Sequence, residues 1–226
     1  MIESQTQKKI QKQAKIVGFT YLITTLIGFV NNFIIKPGLH NTKTLLESEF
    51  QFRIGVILDI LMYALVMWMA VALYLLTKHI QKNRALLGLT FRTAEVVMGF
   101  VIALIYMAPL VILKNVENHQ FNEDNLHKSA SLLFNIYSMG VNLHLILMSI
   151  GAIVFMKLLL SASYIPKWLG YWALFTYIAV LICFSLKIIL PDLPNNILMI
   201  VMAPGALFEL TFGIWLLVKG VKINSK

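Results

Sequence analysis

The segment GLTFRTAEVVMGF, residues 88–100, contains an arginine and a glutamate within an otherwise apolar run. Arg92 and Glu95 are three residues apart, so on a helix they lie one turn apart on the same face. At 100° per residue, that face continues in both directions as a narrow stripe. Such a helix is expected to turn its charges toward neighbouring helices and its other faces toward lipid. The stripe consists of Gly88, Arg92, Glu95, Gly99, Ala103 and Tyr106.

The composition of the whole chain favours the membrane class of proteins. Of the 226 residues, 59% are hydrophobic and only 13% are charged, and the mean hydropathy is +0.79. A soluble domain is about half apolar and about a quarter charged. The net charge of +9 does not indicate a nucleic-acid partner, because the basic residues cluster at the ends of apolar runs. The single cysteine, Cys183, excludes an internal disulfide.

Apolar runs of membrane-spanning length recur along the chain. A hydrocarbon core of about 30 Å requires roughly 20 apolar residues in a helix. The sequence therefore predicts an all-α polytopic membrane protein, a bundle of six transmembrane helices. The runs are Ile16–Ile35, Ile54–Leu76, Ala85–Leu113, Ser129–Leu160, Trp168–Leu190 and Ile197–Lys219.

The distribution of lysine and arginine predicts the orientation of the bundle. With the N-terminus inside, twelve of these residues fall on the inner side and six on the outer side, among them Lys36. This bias predicts that both termini are cytoplasmic. We expect a basic cytoplasmic N-terminal segment at 1–15, a single six-helix transmembrane domain at 16–219 and a cytoplasmic tail at 220–226.

The expected partner of the N-terminal segment is the membrane itself. Four lysines follow one another closely just before the first span. Basic residues at this position are attracted to anionic lipid headgroups. The lysines are Lys8, Lys9, Lys12 and Lys15.

Several polar residues are predicted to lie near the middle of the bundle. Helical spacing places His144 on a polar face of the fourth span and Glu209 on that of the sixth, each near the centre. Together with Arg92 and Glu95 they form the predicted polar midplane site. Asp59 is expected above them, nearer the outer end, and Tyr106 and Tyr137 are secondary polar candidates.

Four interpretations of these buried charges remain open. They form a structural ion-pair network, a transport or proton-coupled site, an anion site at Arg92, or a metal enzyme that uses Glu95, His144 and Glu209. Three carboxylates face one arginine within the spans, so a purely paired network does not balance. No HExxH or HxxxH spacing is present, so the sequence specifies neither a metal nor another cofactor.

The transport interpretation receives support from a weak internal repeat. Glu95-x-x-x-Gly99 in the third span resembles Glu209-x-x-x-Gly213 in the sixth, and these two spans run in opposite directions. Inverted repeats of this kind are typical of transporters. The leading hypothesis is a small-molecule or proton/ion-coupled transporter. The alternatives are a membrane-embedded enzyme acting on a lipid or small hydrophobic substrate, and a non-catalytic sensor or partner protein.

Longer segments carry a resemblance that runs nearly end to end, over residues 12–222. They are AKIVGFTYLITTLIGF, FRIGVILDILMYAL, LLGLTFRTAE, SYIPKWLGYWAL and APGALFELTFGIWLLVKGV. In their order and spacing, the chain resembles the bacterial integral-membrane family catalogued as domain of unknown function 4386. The resemblance implies a multi-span protein of the bacterial cell membrane and implies no particular activity. It places Arg53, Asp59, Arg92, Glu95 and Glu209 within the family's recurring segments.

Overall fold

The computed structural model describes residues 2–42, 44–114 and 123–222, and these residues form helices and short connections without a strand. Six helices are long and apolar enough to cross a membrane, which confirms the predicted all-α fold. The predicted runs lie within these helices, except that Leu190 and Lys219 each fall one residue past a helix end. The elements are α1 (Ile2–Val30), a π-helical turn (Asn31–Ile35), α2 (Glu49–Thr77), α3 (Lys82–Lys114), α4 (Glu123–Ser161), α5 (Lys167–Ile189) and α6 (Asn195–Val218).

The six helices form a closed ring in chain order. Each helix packs against the next, and α6 returns to pack against α1. The inward faces share a core that contains Met69, Phe155 and Phe212. The outward faces expose large apolar side chains, such as Leu104 and Phe175, which are 73% and 68% exposed. A lipid environment covers such surfaces at no desolvation cost, so the exposed apolar belt agrees with a multi-pass membrane protein.

The contact between α1 and α6 depends on two facing glycines. A Cβ atom added to Gly18 would lie 2.8 Å from the carbonyl oxygen of Gly213. A Cβ atom added to Gly213 would lie 3.0 Å from the carbonyl oxygen of Gly18. The two backbones therefore approach more closely than any larger residue would allow, as in many transmembrane helix pairs.

Both ends of the described chain lie at the same end of the bundle. The Gln11 side-chain amide donates to the Val221 carbonyl at 2.6 Å, and the Val221 amide donates back to Gln11 Oε1 at 3.1 Å. Gly220, which precedes Val221, has φ +64°, a backbone conformation that residues other than glycine rarely adopt. These contacts tie the end of α6 to the beginning of α1.

The connection between α1 and α2 folds over the opposite end of the bundle. Leu39 and Leu45 of this connection are buried at 3% and 0% exposure. They pack into a second core with Phe52 of α2, Leu110 of α3 and Phe134 of α4. The connection thus covers the end of the α2–α3–α4 side of the ring.

Candidate polar site in the helix bundle

The polar stripe predicted for α3 faces the interior of the bundle. All six of its residues, from Gly88 to Tyr106, are buried, which confirms the predicted direction of the stripe. Arg92 Nη1 lies 2.8 Å from Glu95 Oε2, and the two side chains are 5% and 3% exposed. Their i,i+3 spacing on one helix brings the two charges together without any contribution from another element.

Small residues on α3 and α4 allow neighbouring side chains to cover this ion pair. A Cβ atom added to Gly151 of α4 would lie 2.9 Å from Cγ of Arg92. A Cβ atom added to Gly99 would lie 2.5 Å from the ring of Tyr63 on α2. The glycines therefore make room for the arginine stem on one side and for a tyrosine ring on the other.

His144 of α4 contacts Glu95 twice. Its Nδ1 atom lies 3.0 Å from the Glu95 backbone carbonyl oxygen, and its Nε2 atom lies 3.9 Å from Glu95 Oε1. A carbonyl oxygen can only accept a hydrogen bond, so Nδ1 carries a proton. In the neutral imidazole, Nε2 is then an acceptor that faces the Glu95 carboxyl group.

Glu209 lies apart from this group and has different partners. Thr25 Oγ1 of α1 donates to Glu209 Oε2 at 2.9 Å, and the Tyr177 hydroxyl of α5 donates to Oε1 at 3.3 Å. The Tyr177 hydroxyl is also 3.4 Å from that of Tyr21. Arg92 interacts with Glu209 electrostatically, without an ion-pair contact. The predicted meeting of four residues is therefore divided into Arg92–Glu95–His144 and a separate Glu209 cluster.

Asp59 belongs to a third cluster, toward the end covered by the α1–α2 connection. Lys36 Nζ lies 2.7 Å from Asp59 Oδ2, and both side chains are 6% exposed. The Asn31 side-chain amide donates to Asp59 Oδ1 at 2.8 Å. The sequence indicates only that Lys36 belongs to the cations of the outer side; in the structure its side chain points inward from the end of the π-helical turn. This turn is closed by a hydrogen bond from the Lys36 amide to the Asn31 carbonyl.

Aromatic rings surround the Lys36 ammonium group. It lies 4.6 Å from the centre of the Tyr106 ring and 5.5 Å from that of Tyr137. It also donates to the Tyr137 hydroxyl at 3.1 Å. The exposed His40 ring lies over the same aromatic group, 5.1 Å from the Phe134 ring. Partial desolvation of the imidazole against these rings and the charge of Lys36 lower the pKa of His40, so its neutral form is favoured there.

The charges of the described spans can now be assigned to partners. Lys36 pairs with Asp59, and Arg92 pairs with Glu95. Glu209 receives hydrogen bonds from two hydroxyl groups and no direct cation contact among the described residues. The imbalance expected from the sequence therefore falls on Glu209.

The arrangement of Glu95, His144 and Glu209 does not support the metal-enzyme hypothesis. Within residues 2–42, 44–114 and 123–222, no group of three or more His, Cys, Asp or Glu side chains could hold a metal ion. In particular, Glu95 and His144 adjoin each other, whereas Glu209 binds Thr25 and Tyr177. The ligand set that this hypothesis requires is not assembled.

The family model described as Domain of unknown function (DUF4386) matches residues 16–220. The chain belongs to this family. No curated protein and no solved structure matches it. The match covers the DUF4386 helix bundle from α1 to α6, including all three polar clusters, and its description carries no activity.

Several polar partners in this DUF4386 bundle were not identified from the sequence. Lys36 was missed because lysines at the ends of apolar runs ordinarily reach the interface. An available signal was Asp59, an unmatched carboxyl at the same end of the next span. The hydroxyl partners of Glu209 gave no comparable signal, because threonine and tyrosine are common in apolar helices. These partners are Thr25, Tyr177 and, through Tyr177, Tyr21.

Proposed function

We propose that this DUF4386 protein is a proton-linked transporter of a small molecule or ion, in which Glu209 takes up and releases the proton. The observation that supports this proposal is the partner set of Glu209. Its carboxyl group lies within a span and is bound by the hydroxyls of Thr25 and Tyr177. The carboxylates of Asp59 and Glu95 each have a cation in contact. A carboxyl without a fixed cation can change its charge without breaking an ion pair.

The hydroxyl groups around Glu209 suit proton exchange. A hydroxyl both donates and accepts, so it can bind the carboxylate as a donor and the carboxylic acid as an acceptor. Tyr21 and Tyr177 extend this chain of hydroxyls toward Arg92. When Glu209 loses its proton, Thr25 and Tyr177 donate to both of its oxygens. When it gains one, its own O–H donates in return.

Arg92 gives the proposed mechanism a link to the midplane site. Its guanidinium is in contact with Glu95 and interacts electrostatically with Glu209. Ionisation of Glu209 therefore strengthens the attraction of Arg92 toward α6, and protonation weakens it. His144, on the other side of Glu95, offers a second proton position. The Arg92–Glu95–His144 group is the proposed place for the transported small molecule or ion.

Proton movement in proteoliposomes tests the role of Glu209. Vesicles loaded with a pH-sensitive dye would be given a pH gradient, and the rate of internal pH change would be compared between the wild type and Glu209→Gln. We expect the variant to lose at least about tenfold in rate, because glutamine cannot exchange a proton. Glu49→Gln is the matched control, since Glu49 lies in an exposed ion pair with Arg53, and its rate should equal that of the wild type.

An infrared titration of the same proteins gives an independent reading. The wild type should show a carboxyl band that changes with pH and disappears in Glu209→Gln. The absence of any such band between about pH 5 and 9, or equal proton fluxes in the two vesicle samples, would contradict the proposal. It would leave the clusters as structural links between helices.

The membrane surface next to the N-terminal part of α1 supports a proposal about location and partners. Lys8, Lys12 and Lys15 line an open cavity of about 840 Å³ together with Phe19 and Trp68. Lysine side chains beside aromatic side chains are suited to bind the headgroup of an anionic phospholipid at the membrane interface. We therefore propose that both termini lie at the cytoplasmic face of the bacterial cell membrane. Replacing the three lysines with glutamine should reduce the anionic lipid that copurifies, whereas Lys114→Gln should not.

A further inference from the structure

The surroundings of the Lys36 ammonium group have the composition of an ammonium-binding site. The nitrogen contacts a carboxylate oxygen of Asp59 at 2.7 Å and the Tyr137 hydroxyl at 3.1 Å. The face of the Tyr106 ring lies 4.6 Å away. A carboxylate combined with aromatic faces is the arrangement that proteins use to recognise organic ammonium ions.

The groups around the ammonium are held in place by contacts that do not involve Lys36. Asp59 is oriented by the Asn31 amide, which also donates to the Gly55 carbonyl at 2.9 Å. The Tyr106 ring stacks on Phe52 with a centroid distance of 4.6 Å. These residues come from α2, α3 and the π-helical turn. The site is therefore expected to keep its shape when the lysine side chain is withdrawn or replaced.

Lys36 itself is attached to an irregular part of the backbone. It follows the π-helical turn Asn31–Ile35, a type of structure that occurs frequently at functional sites. The next two residues, Pro37 and Gly38, are exposed, and Gly38 has φ +83°. The lysine thus lies at the junction between a helix of membrane-spanning length and an exposed turn.

Two buried polar atoms beside the ammonium site have unused hydrogen-bonding capacity. The Tyr106 hydroxyl and Asn31 Oδ1 have no hydrogen-bond partner among the described residues. Their residues are 0% and 1% exposed. Buried polar atoms are nearly always paired, so this unpaired acceptor and this unpaired hydroxyl are able to bind a further polar group. An ammonium group with more than one N–H, or a polar substituent near it, would supply that partner.

We propose that this cluster binds the ammonium group of a small cationic amine, and that Lys36 is an internal occupant which the ligand displaces. Asp59 would neutralise the ligand, and Tyr106 and Tyr137 would contact its N–CH groups. The proposal does not depend on proton exchange at Glu209, because the two clusters share no residue. Failure of one leaves the other unaffected.

The Lys36→Ala variant tests whether the site accepts an external amine. Its thermal unfolding would be followed in detergent with n-propylammonium chloride, which reproduces the removed part of the side chain, and with sodium chloride at the same concentration. We expect propylammonium to raise Tm by about 2–4 °C over sodium. The wild type, in which the amine must first displace Lys36, should respond less. The double variant Lys36→Ala/Asp59→Asn should not respond, and an equal shift there, or none in Lys36→Ala, would overturn the proposal.

A measurement on the wild type tests displacement directly and does not require a folded variant. Lysine side chains would be methylated reductively and quantified by mass spectrometry, with N,N-dimethylethylammonium as the added ligand. This tertiary amine keeps one N–H for Asp59 and does not consume the reagent. We expect methylation of Lys36 to rise at least about threefold while that of exposed Lys8 is unchanged. If Lys36 remains equally protected at every ligand concentration, the native protein does not exchange its lysine for a ligand and the proposal is wrong.

Discussion

The carboxyl groups on the two sides of the helix ring have different partners. On the α2–α3–α4 side, Asp59 and Glu95 each contact a cation, and their side chains are 6% and 3% exposed. On the α1–α5–α6 side, Glu209 is half-buried and is bound by hydroxyl groups. An ion pair in a low-dielectric interior resists any change of charge on either partner. This difference agrees with the proposal that Glu209 is the group that changes its charge, while the ion-paired carboxylates of Asp59 and Glu95 stay ionised.

The largest expected loss of stability comes from breaking the ion pair between Arg92 and Glu95. Arg92→Met leaves the buried Glu95 carboxylate without a cation and should cost about 3–5 kcal/mol of unfolding free energy. The double variant Arg92→Met/Glu95→Leu removes both charges and should recover most of that loss. Denaturant unfolding in mixed micelles measures both values. A loss below about 1 kcal/mol in the single variant would mean that this ion pair contributes no more to stability than an exposed one does.

A smaller effect is expected at the contact between α1 and α6. Gly18→Ala places a methyl group against the Gly213 carbonyl oxygen, and overpacking of this kind costs about 1–3 kcal/mol. Because the backbones must separate, Thr25 should also move away from Glu209. Gly38→Ser is the control for a glycine with no neighbour within 4 Å; it carries only the strain of a positive φ. A loss in Gly18→Ala no larger than in that control would argue against a tight α1–α6 contact.

The charge state of the Glu209 carboxyl group is tested by removing one of the two hydroxyl groups that donate to it. Thr25→Val should cost about 1 kcal/mol at acidic pH, and about 1.5–3 kcal/mol at alkaline pH, where a carboxylate depends more on its donors. Thr24→Val is the matched control, because the Thr24 hydroxyl donates to the Thr20 carbonyl of its own helix. Its cost should not vary with pH. A pH-independent cost for Thr25→Val would show that Glu209 keeps one charge state throughout.

The smallest expected effect concerns His79, which lies outside the spans at the same end of the bundle as Val221 and Lys222. Burial and the neighbouring Lys78 lower the pKa of His79 from 6.5, and its Nε2 atom hydrogen-bonds the Tyr164 hydroxyl. Just below pH 6.5 the unfolded chain therefore binds more protons at this residue than the folded chain. Stability should fall as the pH falls through this window, and His79→Gln should remove that component. We expect a Tm difference of no more than about 2 °C between pH 8 and pH 5. A steeper acid loss in the variant would reverse the assigned direction.

The sequence predicted the helices and the inward face of α3 because both follow from local periodicity. A run of apolar residues predicts a span. At 100° of rotation per residue, Gly88, Arg92 and Glu95 share one face of the helix, and their polarity predicts that this face turns inward. The partners across helices depend on which helices adjoin, and periodicity carries no such information. Thr25 contacts Glu209 only because α6 closes onto α1. Lys36 points inward only because a π-helical turn advances the backbone by an extra residue.

The closure of the ring by its first and last helices has a consequence for biogenesis. α1 is synthesised before α2–α5, yet the partners of its Gly18 face and of Thr25 are on α6. During synthesis, this face of α1 therefore cannot reach its partners until α6 has been made. The Gln11–Val221 hydrogen bonds can likewise form only after α6 has been synthesised. The ring is thus closed only when α6 joins α1, and a nascent chain that stalls before α6 would leave the Gly18 face and Thr25 without these partners.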